Sequence, residues 1–153
     1  MRLRVGLWLV LAALLVAVGH ANAAAPTRAS WAAAADKRCA VAYAAIRRLP
    51  KLTTATIVPD LRATLRIGKA LTTQLAAIPA PANERATVRR LIAISRGEIV
   101  LLQQYLAAID AGDQAAVKRL AAKIANDRSG DRFNAIARSL GARVCAENPE
   151  PQG

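Results

Sequence analysis

Apolar residues recur at helical spacing along most of this chain, from about residue 31 to residue 140. In the clearest segment they are alternately four and three residues apart, which places them on one face of an α-helix. This stripe, interrupted by one serine, consists of Val88, Ile92, Ser95, Ile99, Leu102, Leu106 and Ile109. β-branched residues nowhere alternate with polar residues as they do in a half-buried strand. The pattern therefore predicts an all-α protein.

Prolines and capping residues divide this pattern into separate helices. Ser30 is a suitable N-cap for a first helix over 31–48, which Pro50 ends. Residues 51–58 form a threonine-rich connector, because threonine and β-branched residues are poor helix formers. Pro59 then suits the first turn of a second helix.

The third and fourth helices follow after short connections. The third begins at Pro81 or Asn83 and runs to about Ile109, and Asp113 is the expected N-cap of a fourth over 114–140. Amphipathic segments joined by short connections favour an antiparallel up-down four-helix bundle.

The fourth segment changes its apolar face part-way along. Val117, Leu120 and Ile124 lie on one face, whereas Phe133, Ile136 and Leu140 lie on another. At about 100° per residue, these faces point in nearly opposite directions. We therefore predict a kink or break near 127–131, with Ser129 capping the second piece and Gly141 ending it.

The first residues resemble a targeting segment rather than part of the fold. Arg2 and Arg4 precede an apolar run over 5–18, and the small-residue motif 21–23 follows. This layout predicts a cleavable secretory signal peptide over 1–23, and therefore a secreted or periplasmic protein. The alternative is an uncleaved membrane anchor, but the run is shorter than the roughly 20 apolar residues that a spanning helix needs.

The predicted domain organisation follows from these segments. After the signal peptide, residues 24–30 are expected to form a flexible lead-in and residues 31–145 the helical bundle. Residues 146–153 are acidic and contain two prolines, which predicts a disordered tail. We expect no transmembrane span after cleavage of the signal peptide.

Charge and composition limit the classes of function that this protein can have. The chain has 153 residues, is 54% hydrophobic and carries a net charge of +12, which becomes +10 (12 − 2) without Arg2 and Arg4. Such apolar content excludes a disordered chain, and the length suits a single core. The positive charge is concentrated in the first two helices. The predicted basic surface consists of Arg47, Arg48, Lys51, Arg62, Arg66 and Lys69.

The basic surface has two interpretations. It suits contact with anionic phospholipid, lipopolysaccharide or wall polymer of the envelope, or with another envelope protein. Export argues against nucleic acid as the partner, and no aromatic residues are interleaved with the basic ones to stack on bases. The alternative is a solvated surface whose arginine content reflects a GC-rich genome.

Two cysteines in an exported chain favour a disulfide between Cys39 and Cys145. In an up-down bundle the fourth helix ends where the first begins, so the short segment from Gly141 can reach Cys39. The competing interpretation is a reactive or redox pair, which would favour a C-x-x-C spacing or an exposed thiol beside positive charge.

The chain after the predicted signal peptide lacks the residues that most metal sites and nucleophilic catalytic sites require. The single histidine, His20, and the single methionine, Met1, belong to the predicted signal peptide. The mature chain therefore has no histidine for a catalytic triad or a transition-metal site, and we expect no cofactor and no enzymatic activity. Tyr43 or Tyr105 can in principle ligate haem iron, although a tyrosine on a helical stripe is more commonly a core residue.

Glu98 is the one acid that borders the apolar stripe of the third helix. Together with Ser95 and a basic partner such as Arg66 it would form a polar cluster in a shallow pocket. The simpler alternative is an ion pair at the edge of the helix interface. An enzymatic function would require its carboxyl group to have a raised pKa within a cleft.

The layout resembles small secreted, alanine- and arginine-rich helical-bundle proteins of unknown function in high-GC bacteria. The resemblance is carried by the signal peptide, by a cysteine in the first mature helix (37–39), and by the ending 140–145. It implies neither an activity nor a site. Exported helical haem-binding proteins of actinobacteria share the terminal cysteine pair, but this chain has no matching ligand motif.

These observations predict a non-enzymatic envelope protein with a structural or interaction role. The alternative function is that of a carrier for a small apolar ligand or haem, held in a cavity lined by Tyr43, Ser95 and Tyr105.

Overall fold

The computed structural model describes residues 24–50, 53 and 56–147, and all regular structure within them is helical. The α-helices are α1 (Arg28–Arg47), α2 (Ile57–Ala76), α3 (Arg85–Asp110), α4 (Gln114–Ala125) and α5 (Ser129–Ser139). Short 3₁₀ turns cover Ala82–Glu84 and Val144–Ala146. The predicted all-helical bundle is confirmed, with the fourth helix divided into α4 and α5. The predicted signal peptide, Lys51 and residues 148–153 lie outside the described residues.

The first helix begins three residues earlier than predicted. Thr27, not Ser30, is the N-cap, because its side chain accepts a hydrogen bond from the Ser30 amide at 3.1 Å. The Ser30 hydroxyl in turn accepts one from the Thr27 amide at 2.9 Å, which completes a capping box. The helix therefore includes Arg28 and Ala29, which the sequence assigned to the lead-in.

The second helix also extends further than predicted. It begins at Ile57, so the last two residues of the predicted connector are helical. Thr53 and Thr56 exchange hydrogen bonds between side chains and amides just before it. Pro59 lies in the first turn, as predicted, where a missing N–H costs no helical hydrogen bond.

The turn between α3 and α4 agrees with the sequence. Gly112 has φ of 68°, a left-handed conformation that glycine adopts without strain. Asp113 is the N-cap of α4 and accepts a hydrogen bond from the Ala116 amide at 2.9 Å. Gly141 likewise has φ of 84° directly after the end of α5.

The predicted break in the fourth helix is present but lies slightly earlier, at residues 126–128. The role assigned to Ser129 was wrong. Arg128 occupies the N-cap position without a side-chain cap, and the Asp127 carboxylate accepts the hydrogen bond of the Ser129 amide at 3.0 Å. The Ser129 hydroxyl does not cap α5 but contacts Asp127 and, on α3, Glu98.

One hydrophobic core joins α1, α2, α3, α5 and the final 3₁₀ turn. α3 packs against α2, α4 and α5, while α1 packs against α2 and the final 3₁₀ turn. The most deeply buried large side chains are Trp31, Leu75, Leu91 and Leu140. Ala35, Ala137 and Ala142 are fully buried, and their small side chains allow neighbouring backbones to approach closely. None of the helices in the described ranges is both long and apolar enough to cross a lipid bilayer.

Candidate functional site

The C-terminal turn is fastened to α1 by a cysteine pair. The Sγ atoms of Cys39 and Cys145 are 2.01 Å apart, and their Cα atoms 5.1 Å apart. The predicted pairing is thus confirmed at disulfide distance. Both residues are at most 1% exposed, which makes them part of the core rather than an accessible redox centre.

Two polar side chains on the same face of α1 reinforce this attachment. Asp36 accepts hydrogen bonds from the amides of Arg143 at 3.1 Å and Cys145 at 3.0 Å. The Tyr43 hydroxyl donates to the Cys145 carbonyl at 2.9 Å. Burial, with a smaller contribution from nearby carboxylates, raises the pKa of Tyr43 to about 12.

This attachment changes two expectations from the sequence. Ala146, assigned to the tail, is 8% exposed and belongs to the core, so ordered structure continues past Cys145. Tyr43, considered as a haem ligand, uses its hydroxyl to bind the backbone. The Ser95 hydroxyl lies 2.6 Å from that of Thr72 between α3 and α2, and neither cavity described below is lined by Tyr43, Ser95 or Tyr105.

The predicted basic surface falls into two groups. Arg47 and Arg48 are exposed at the carboxyl end of α1. Arg62, Arg66 and Lys69 are exposed on α2 at a spacing that places them on one face. Arg62 forms an ion pair with Asp110 of α3. The other four have no ion pair with any described residue.

Glu98 has a different partner from the one expected. The Ser129 hydroxyl donates to its Oε1 across 2.6 Å, and the same hydroxyl lies 2.7 Å from Oδ2 of Asp127. Neither interpretation from the sequence is found: Glu98 has no hydrogen bond with Ser95 or Arg66, and it forms no ion pair within the described residues. Glu98 and Ser129 are 31 residues apart, and only the packing of α5 on α3 brings them together.

This arrangement makes the two carboxyl groups chemically different. Burial raises the pKa of Glu98, and this effect exceeds the opposing effect of its hydrogen bond with Ser129. The Ser129 hydroxyl lowers the pKa of exposed Asp127, with help from Arg132. One hydroxyl hydrogen cannot serve two acceptors fully. The Ser129 hydrogen is therefore shared between Glu98 and Asp127.

A cavity of about 410 Å³ adjoins this cluster. Its walls are largely apolar, and they come from α2, α3 and the α4–α5 region. The lining includes Leu61, Leu101, Leu102 and Ile124 beside Glu98 and Ser129. Glu98 is half-buried beside these apolar side chains, which limit the contact of its carboxyl group with water.

A larger groove of about 580 Å³ lies where the end of α2 meets the first half of α3. Its apolar lining includes Ile78, Val88 and Ile92, and Arg85, Arg89 and Arg96 also line it. The three arginines follow each other on α3 at intervals of four and seven residues, which places them on one side of the helix. This spacing is visible in the sequence, but the position of the three arginines beside the end of α2 is not. Sequence reasoning missed the groove.

A search for metal centres and comparisons with known proteins gave no further indication of function. In the ranges that the structure describes, no three His, Cys, Asp or Glu side chains are grouped to hold a metal ion. No known protein family, curated protein or solved structure matches the chain.

Proposed function

We propose that this protein is an exported, non-enzymatic helical-bundle protein of the cell envelope that binds anionic lipid or polymer surfaces. The observation that carries the proposal is the unneutralised charge of Arg47, Arg48, Arg66 and Lys69, which are exposed and form no ion pair within the described residues. Such charges attract an anionic surface over about one Debye length.

Export is supported by two independent features. The N-terminal residues 1–23 have the layout of a signal peptide. The Cys39–Cys145 pair lies at disulfide distance, and disulfides persist mainly in oxidising compartments such as the periplasm or the extracellular space. Both features also agree with the resemblance to small secreted helical proteins of high-GC bacteria.

We also infer the antiparallel order that the short connections favour. Arg62, near the start of α2, pairs with Asp110 at the end of α3. At the other end, Ile78 follows α2 and lines the same groove as Val88, near the start of α3. The three-residue connection between α3 and α4, which pack together, supports the same order for these helices.

A non-enzymatic role agrees with how the polar groups are used. Asp36 and Tyr43 hold the C-terminal turn, and Ser129 holds α5 to α3. Each of these groups has a structural partner within the fold, which accounts for its position without a reaction.

Vesicle binding tests the surface contact. The full chain, expressed with its own N-terminus and purified, is titrated with vesicles of anionic or neutral phospholipid at low and high salt. We expect binding to anionic vesicles that weakens with salt, because the contact is electrostatic. Replacing Arg47, Arg48 and Arg66 by Gln removes about 1 kcal/mol per residue, and so lowers the affinity about 100-fold.

A triple variant of Lys118, Arg119 and Lys123 in α4 is the matched control. It loses the same charge from exposed positions that form no ion pair with a described residue. Equal losses in both variants would show that net charge alone matters, and would contradict the assigned surface. Binding that does not respond to salt would contradict an electrostatic contact altogether.

The second candidate function is that of a carrier for a small apolar ligand. The 580 Å³ groove favours it, because this volume lies within the range of small-ligand sites. The haem version of this function is tested by an absorbance titration. It is abandoned if haem added to the protein shows no saturable spectral change.

A further inference from the structure

The groove beside α3 combines an apolar floor with a positively charged rim. Val88 and Ile92 on its floor are 5% and 6% exposed and belong to the hydrophobic core. Arg85, Arg89 and Arg96 are exposed at its edge. An occupant that satisfies both parts must have an apolar body and a negative charge.

The charge of the rim is not neutralised by the protein. No carboxylate is among the residues that line the groove, and the three arginines form no ion pair with a described residue. The acid nearest in sequence, Glu84, is bound by Arg28 of α1 at 2.8 Å. The rim therefore offers three guanidinium groups to a ligand.

We propose that this groove binds a single-chain amphiphile with an anionic head, of the class of a long-chain fatty-acid anion. Its alkyl chain lies along Ile78, Val88 and Ile92, where its contact with the core removes apolar surface from water. Its carboxylate is bound by the nearest of the arginines, because the planar guanidinium group matches the two oxygens of a carboxylate. The inference rests on the carrier function and is independent of the basic surface on α1 and α2.

The same arginines have a possible structural role that the test must separate from ligand binding. They lie beside the carboxyl end of α2, which has a partial negative charge and no basic residue in its last turn. If this were their only role, replacing them would lower the stability of the fold without changing the affinity for an amphiphile.

Fluorescence competition tests the proposal with the purified full chain. Dansyl-labelled undecanoic acid is the probe, and palmitate and hexadecanol compete with it below the concentrations at which they aggregate. We expect palmitate to displace the probe at a concentration about tenfold or more below that of hexadecanol, because only palmitate carries the charge. Equal displacement by both overturns the proposed ligand class but leaves an apolar carrier. No probe binding overturns the carrier function as well.

Two variants locate the site. Replacing Arg85, Arg89 and Arg96 by Gln should weaken palmitate about tenfold or more and leave hexadecanol unchanged. The triple Gln variant of Lys118, Arg119 and Lys123 is the charge-matched control and should bind palmitate as the unaltered protein does. Equal weakening in both triple variants overturns the assignment to the groove.

Filling the groove supplies a test that does not depend on charge. Ala93 lines the groove and is exposed on α3, so a large side chain there does not disturb the core. Ala93→Trp should weaken both competitors, and a thermal unfolding curve checks that the variant is folded. Unchanged palmitate binding in Ala93→Trp overturns the proposed position. Sedimentation tests whether a second copy of the chain occupies the groove instead. If the protein is a dimer that Ala93→Trp dissociates, and palmitate does not compete with the probe, the occupant is a second copy and the proposal is overturned.

Discussion

Asp36 connects parts of the chain that are more than 100 residues apart. It accepts the amide hydrogen bonds of Arg143 and Cys145, which are 107 and 109 residues further along. Both amides belong to the start of a 3₁₀ turn, where no preceding carbonyl is available to them. A carboxylate is a strong acceptor for such groups, so Asp36 acts as a cap supplied by another helix.

Replacement of Asp36 by Ala should therefore destabilise the fold by about 2 kcal/mol, because two amides lose a charged acceptor. The loss is measured as the change in free energy of unfolding in urea. Asp131→Ala is the control, since its ion pair with Arg128 is exposed and should contribute less than about 1 kcal/mol. Equal effects of the two substitutions would contradict the capping role.

At the scale of the helices, the break between α4 and α5 decides where Ser129 points. α4 ends at Ala125, and α5 starts again at Ser129 after a three-residue interruption. The interruption turns the apolar side of α5 towards α3 and the final 3₁₀ turn, where Phe133 and Ala137 join the core. It also brings Ser129 to Glu98, so the same local change positions both the apolar and the polar contacts of α5.

The Glu98 contact predicts a pH-dependent stability. Because the pKa of Glu98 is higher in the folded state, the folded chain binds this proton more tightly than the unfolded chain does. The stabilising contribution is complete below the ordinary value of 4.5 and is lost as the pH rises through the raised pKa. Glu98→Gln cannot ionise and should become progressively more stable than the unaltered protein as the pH rises from 4.5 towards neutrality.

Denaturant unfolding at a series of pH values measures this difference. Other carboxyl groups titrate in the same range, and they cancel because both proteins contain them, except Asp127, which shares the Ser129 hydroxyl with Glu98. Gln104→Ala, a change at an exposed residue of α3 that does not titrate, should show no such divergence with pH. A stability difference between Glu98→Gln and the unaltered chain that does not vary with pH would contradict a raised pKa of Glu98 in the folded state.

At the scale of the whole molecule, the C-terminal turn closes the bundle. α1 contacts α2 on one side and the final 3₁₀ turn on the other, and that turn also packs against α5. The Cys39–Cys145 pair spans 106 residues, nearly all of the described fold. Alanine supplies much of this core and buries little area per residue, so a covalent link is especially useful here.

Removal of the link should lower the stability strongly. The double variant Cys39→Ala, Cys145→Ala is expected to lose up to about 4.7 kcal/mol, because a closed loop of about 100 residues restricts the unfolded chain. Thermal or denaturant unfolding measures the loss. The unaltered protein with added reductant should approach the variant, and equal stability with and without reductant would contradict a stabilising disulfide.

Much of the fold was predictable because its determinants are local. The stripe of α3, the cap at Asp113 and the turn at Gly112 each depend on residues within a few positions of one another. The starts of α1 and α2 were predicted a few residues too late, because neighbouring residues compete for the N-cap position. Thr27 and Ser30 are both good capping residues, and the choice depended on a capping box that only the backbone geometry shows.

The candidate sites were less predictable, because they join distant residues. Cys39 and Cys145 were paired correctly since the chain has only two cysteines. The sequence singled out Glu98 by its place on α3, but several serines and arginines were equally possible partners for it. The exact turn of α5 after the break selected Ser129.

The sequence by itself determined the helical class, the number of helical segments, the break in the fourth and the cysteine pairing. These follow from periodicity, from local capping and from a composition that leaves few alternatives. Only the tertiary structure decided that Asp36 caps the C-terminal turn, that Ser129 joins Glu98, and that three arginines border an apolar groove. Such contacts depend on the relative rotation and depth of packed helices, which the core as a whole sets and no local pattern encodes.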